Sequence, residues 1–374
     1  MRLDSLTGLL AVFIAVFVDD TYAALSCCQA KRQDLKNMTL MMKLSNLKTD
    51  VNLDNGRIKR DLTTIIKILN IDACNASPCQ NEGICSDKVN GYTCNCKVGY
   101  SGINCQTVAV GELKDEPIVT RRWLHSTYIR DLAVTSRGHI VVTSGKGSTA
   151  QIYDSDFKPI KDIGKRFYHV ALTNDEQLVF TDWTNTIYFY TVSGRHIRSI
   201  TVKGSSTVLL GITSLSTGQL VVCYGKEKRV FIVDPSSGDS TPFSAPGTVI
   251  DPYYVTTNSK GVIIVSDFDG HAIKGLDQAG NVVFSYGSSE EQLSLPNGVY
   301  TDSKDFILVA DRNNDRIQLL TPEGNFHSHI LTEMDGVDLP MALRINNAGQ
   351  LLVGDRSGQL FIITYRNKIS PEVV

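Results

Sequence analysis

Nine cysteines are the residues best placed to do chemistry in this chain of 374 residues. Six of them, Cys74, Cys79, Cys85, Cys94, Cys96 and Cys105, are separated by four, five, eight, one and eight intervening residues. Thiols this dense either ligate zinc as thiolates or close disulfides, and the redox compartment decides which. Residues 1–23 carry one Arg, an apolar core over residues 9–18 and small residues at Ala23 and Ala24. That is the pattern of a cleaved secretory signal, with a core too short to span a bilayer. Secretion selects disulfides. A segment of roughly 35 residues buries too little apolar area to fold alone, so cross-links must stand in for a core. Cys27 and Cys28 follow the signal directly. Adjacent cysteines rarely bridge each other, which makes this pair a candidate for interchain disulfides. Cys223 ends the apolar run Leu220-Val221-Val222-Cys223 and reads as a small buried hydrophobe.

Gly91-Tyr92 precedes the fourth clustered cysteine, and Gly99-Tyr100-Ser101-Gly102 precedes the sixth. With these, residues 71–107 resemble an EGF-like domain along their whole length. The resemblance implies the pairings Cys74–Cys85, Cys79–Cys94 and Cys96–Cys105, which spacing alone leaves open. It also raises calcium, because Asn70, Asp72 and Asp87 stand where the calcium-binding subgroup places oxygen ligands. Ala73 stands where that subgroup carries Glu or Gln, and calcium wants about six to eight oxygens, so a site here is weakened. A plain disulfide module and a weak calcium site remain the two alternatives, and no other cofactor is expected.

Positioning elements come from a repeat. Apolar runs begin at His139, Gln177, Gln219, Val262, Phe306 and Gln350, in steps of 38, 42, 43, 44 and 44 residues. A continuous apolar run of about five residues bounded by turn residues suits a strand covered on both faces. Four runs are followed by Asp182, Asp267, Asp311 and Asp355. Asp is favoured at such a strand end because its carboxylate accepts from nearby backbone amides. Periods near 40 without helical periodicity predict propeller blades, six in number. Pro296-Asn297-Gly298 and Ala310-Asp311-Arg312-Asn313-Asn314 resemble the NHL repeat, and Phe180-Thr181-Asp182-Trp183 is similar to a YWTD repeat. The sixth copy has only three strands of its own. Residues 108–122, ahead of the first copy, are therefore expected to supply its outer strand and remove an open edge.

Propellers of this kind place function at the mouth of the central channel, near the start of each innermost strand. Counting to equal depth gives Asp131, His169, Gly211, Tyr254, Gly298 and Ala342. The lactonases and amidating lyases that the fold resembles gather carboxylates around calcium or histidines around zinc. One Asp131, one His169 and one Tyr254 supply neither set, so a binding head is expected rather than an enzyme. A metal-dependent propeller hydrolase or lyase is the alternative.

The chain has 37 basic against 39 acidic residues, a formal charge of −2 that argues against nucleic acid as the partner. Residues 24–70 form a neck with a heptad undertone, in which Leu44, Val51, Ile58 and Ile65 share one seam position and Leu40, Leu47 and Ile68 the other. Asn55-Gly56 weakens it. A coiled coil, a single amphipathic helix and a disordered neck remain open. Arg57-Ile58-Lys59-Arg60 resembles a furin-type site, and cleavage after Arg60 would make the chain a processed EGF-like signalling precursor. Asn37-Met38-Thr39 and Asn75-Ala76-Ser77 are glycosylation sequons, the second weakened by Pro78. The sequence thus predicts a mainly β, secreted, homo-oligomeric glycoprotein of matrix or adhesion, with no membrane insertion. It comprises a signal (1–23), a neck (24–70), an EGF-like domain (71–107) and a six-bladed β-propeller (108–374) that binds extracellular proteins or glycans.

Overall fold

The structure, a computed structural model, describes residues 74, 77–88, 91–97, 99–108, 110–124, 128–144, 148–204, 208–287, 289, 290 and 292–368. The expected signal, the whole neck with Cys27, Cys28, Asn37, Arg60 and Asn70, and also Asp72 and Asn75, lie outside these residues. Two compact units divide the described residues, one holding 74, 77 and those of 86–93, the other 78–85 and those of 94–368. No helix among them is long and apolar enough to cross a membrane. The six clustered cysteines are all disulfide-bonded, with Cys79 joined to Cys94 and Cys96 to Cys105. Asp87 falls in the strand Ile84–Lys88, which pairs with Gly91–Asn95.

Six four-stranded antiparallel sheets form the six blades of a propeller. The innermost strands are Ile129–Val134, His169–Leu172, Leu209–Ser214, Pro252–Thr257, Val299–Thr301 and Ala342–Ile345, and each touches the next in a closed ring. The second strands are Ile140–Ser144, Gln177–Thr181, Leu220–Tyr224, Ile263–Asp267, Ile307–Asp311 and Leu351–Gly354. These are the apolar runs of the sequence, in register to within a residue. They are continuous rather than alternating because both faces are covered by neighbouring blades. Blade 2, for example, lays Val179 and Ile187 against Leu209 and Val222 of blade 3 in one buried cluster. Each such side chain contributes about 1.5–3 kcal/mol on burial. Outer strands lose this cover: His196–Thr201 is half exposed and Pro159–Asp162 wholly so.

Blade 6 is closed by Val110–Trp123, which pairs antiparallel with Gln359–Lys368 from Trp123↔Gln359 to Val110↔Lys368. The closing strand runs one residue beyond the expected 122. Blades 6 and 1 then share a cluster in which Leu132 and Val142 meet Leu352 and Leu360.

The repeated aspartates have a longer reach than their turns. Asp267 accepts hydrogen bonds from the backbone amides of Ile250 and Asp251, Asp311 from that of Ser294, and Asp355 from that of Asp338. Ile250, Ser294 and Asp338 stand 17 residues before their aspartates, in the segment leading into each innermost strand. These three carboxylates therefore pin the lead-ins of blades 4, 5 and 6, and Asp355 also bonds forward to the amide of Gln359.

Candidate functional site

Packing of the innermost strands sets the bore of the channel. A Cβ at Gly211 would lie 2.6 Å from the carbonyl oxygen of Tyr253, and one at Gly298 would lie 2.5 Å from that of Met341. These glycines let adjacent innermost strands approach until little bore is left. The cavity between the strands, lined by Asp131, Val170, Ile212, Tyr254, Tyr300 and Arg344, holds about 20 Å³, room for a water or so.

Asp131, His169 and Tyr254 lie in this throat, 8%, 0% and 5% exposed, and not on the open mouth. Asp131 accepts from the amides of Leu132 at 2.8 Å and Val170 at 3.0 Å, which ties blade 1 to blade 2. His169 Nδ1 stands 3.4 Å from Asp131 Oδ2, but neither ring nitrogen makes a hydrogen bond of good geometry. Burial pushes the imidazole below its ordinary pKa, against the opposing pull of Asp131, so it is neutral. Its ring meets those of Tyr254 and Tyr253 edge-on, at 4.6 and 5.6 Å. Tyr254 donates its hydroxyl to the Arg130 carbonyl, and burial pushes that phenol well above its usual range. The throat is therefore a packed plug.

One residue nearer the mouth the chemistry changes. Arg130 donates to the Tyr253 hydroxyl, and its guanidinium lies 4.8 Å from the Tyr168 ring and 4.9 Å from the Trp183 ring. Tyr168 and Trp183 stack at 4.2 Å and 8°. On the other side Tyr253 meets Phe268 at 5.1 Å, and the Arg312 guanidinium stands 6.0 Å from Phe268. Burial first, then the charges of Arg356 and Arg130, hold Arg312 below its ordinary pKa. Trp183 is 42% exposed and has a left-handed backbone, φ +64°, which a bulky side chain rarely adopts.

Trp183, Phe268, Arg312 and Arg356 each directly follow one of the repeated aspartates. Asp267, Asp311 and Asp355 are pinned to their lead-ins, which delivers Phe268, Arg312 and Arg356 to the mouth face, while Asp182, ahead of Trp183, ion-pairs with Lys165. Arg130, Tyr168 and Tyr253 each immediately precede a throat residue found by counting. Counting along the sequence thus selects throat residues one position deeper than the aromatic and cationic side chains of the mouth face. The signal it passed over was the aromatic or cationic residue after each Asp.

Comparison with known proteins agrees with both modules. Residues 74–104 match the EGF-like domain. Its disulfides point to an oxidising, extracellular setting. Among solved structures, virginiamycin B lyase from Staphylococcus aureus is similar at 13% identity and TM-score 0.52, over 67% of this chain and 99% of that one. A streptogramin B lyase is similar at 10% identity and TM-score 0.54, over 68% and 100%. An auxiliary nutrient binding protein from Bacteroides thetaiotaomicron is similar at 12% and TM-score 0.51, over 65% and 70%. At these identities the likeness is one of fold, which catalytic and binding proteins share.

Proposed function

We propose that this chain is a secreted interaction protein of matrix, adhesion or ligand capture, which recognises its partners on the mouth face of the propeller by contact rather than by catalysis. The observation that carries this is the mouth itself. Arginines, the exposed Trp183 and half-buried aromatic side chains, residue types rich in binding energy at interfaces, stand over a throat with room for a water or so. A metal-dependent lyase or hydrolase would need a cation where Arg130 and Arg312 already place positive charge. The EGF-like domain serves as spacer, with calcium playing little part because Ala73 removes a ligand. Interchain bridges at Cys27 and Cys28 would link heads through the neck and raise avidity by about 10²–10⁴ without new contacts. A chain cut after Arg60 would lose them and act alone.

Retention of the full secreted chain on deposited matrix and on cell surfaces tests this. Trp183→Ala with Phe268→Ala should abolish retention while leaving the melting temperature unchanged. Retention that survives the double substitution would place the contact surface elsewhere.

A further inference from the structure

Cations sunk in this protein have partners. Arg366 Nε sits 2.7 Å from Asp302, Arg316 Nε 2.6 Å from Asp311 and Lys274 Nζ 2.8 Å from Asp267. Among the described residues, Arg130, Arg312 and Arg356 pair with no carboxylate. Arg130 is 7% exposed, and its Nε is buried without a hydrogen-bond partner. Arg312 makes one side-chain bond, to Asn313. Nearby carboxylates are already engaged: Asp131 by two amides and Asp315 by the amide of Leu339. Arg312 is repelled by both Arg356 and Arg130, with Asp315 pulling the other way, so the three guanidiniums together make a positive mouth suited to an anion.

The anion has a flat neighbour. Trp183 is backed on one face by Tyr168, and 42% of its surface stays open. A rigid exposed indole offers apolar area at low entropic cost, and it matches the C–H face of a sugar ring. Resting on the contact function proposed above, we propose that the mouth binds an acidic saccharide. Its carboxylate or sulfate is held by Arg130, Arg312 and Arg356, and its ring lies on Trp183. An acidic peptide would use the arginines but has no need of a broad aromatic platform. The free guanidinium N–H groups match either acid, because both present paired oxygens.

Binding of the full secreted chain to hyaluronan octasaccharide (carboxylate alone) and heparin octasaccharide (carboxylate and sulfate) tests the proposal, with a poly-glutamate peptide as competitor. Calorimetry should show binding to at least one saccharide, weakening with salt. Preference for heparin assigns the group as sulfate, and equal affinities assign it as carboxylate. Arg312→Ala with Arg356→Ala should weaken binding at least ten-fold, and Trp183→Ala at least five-fold, with melting temperatures unchanged. Arg137→Ala, in the exposed turn at the other end of the blade 1 strands, should change nothing. Three results overturn the proposal: no saccharide binding, binding indifferent to the arginine pair, or poly-glutamate bound more tightly than either saccharide. If matrix retention still depends on Trp183 and Phe268 while neither saccharide binds, only the saccharide assignment falls. If retention fails that test too, the contact function falls with it.

Discussion

Arg366 and Arg312 both lie against aromatic rings of the propeller, with guanidiniums 4.7 Å from Phe306 and 6.0 Å from Phe268. Arg366 is enclosed between blade 6 and the turn of blade 5. Its charge is met by Asp302, which also accepts from the Tyr365 hydroxyl and the amides of Lys304 and Phe306. Arg312 has no ion pair of this kind, and the pull of Asp315 is set against repulsion from Arg356 and Arg130. Within one fold, an ion-paired cation marks where the chain holds itself together. A cation with no paired carboxylate at an open mouth marks where we propose that it holds something else.

Removing the ion-paired cation should have the largest effect. Arg366→Ala strands the Asp302 carboxylate in the interior and should cost about 3–5 kcal/mol in chemical denaturation. A loss below about 1 kcal/mol would show that the contrast between the two regions is not energetic. Gly211→Ala should come next, at about 1–3 kcal/mol, because its Cβ meets Tyr253 and Tyr254 backbone that cannot turn aside. A silent change there would mean that the innermost strands slide apart easily.

His169→Gln should act only in acid. The folded imidazole pKa lies below the ordinary 6.5, so protonation favours the unfolded chain. Stability is whole above about pH 6.5 and declines as pH falls through the folded value. Thermal melts from about pH 7 to 4.5 should fall less steeply for the variant than for the parent. Parallel slopes would show that His169 is already solvated or charged. Arg312→Ala with Arg356→Ala should have the smallest effect, within about 0.5 kcal/mol of the parent and on the stable side, since it relieves repulsion. A large loss would show that the mouth arginines are structural after all.

Much of this architecture was legible in the chain because the blades repeat. Five-residue apolar runs report strands buried on both faces, and a missing outer strand in the last copy reports its replacement upstream. The EGF-like cysteines were legible for a different reason, since so short a segment has little but its disulfides to fold with. Mouth residues were harder. Trp183, Phe268, Arg312 and Arg356 share a position but span three residue types, so no single repeated letter betrays them. The pinning of lead-ins by Asp267, Asp311 and Asp355 is a contact across 17 residues, invisible to local turn chemistry.

The closing strand of blade 6 also fixes how the molecule bears load. Val110 lies at the end of the ladder remote from the mouth, opposite Lys368, and Trp123 lies at the mouth end, opposite Gln359. A partner gripped at the mouth and a tether attached ahead of Val110 would pull along this strand in opposite senses. Antiparallel ladder bonds lie across the strand axis, so such a force shears all of them together instead of peeling them one by one. The seam that completes the ring is thereby oriented to take tension in shear.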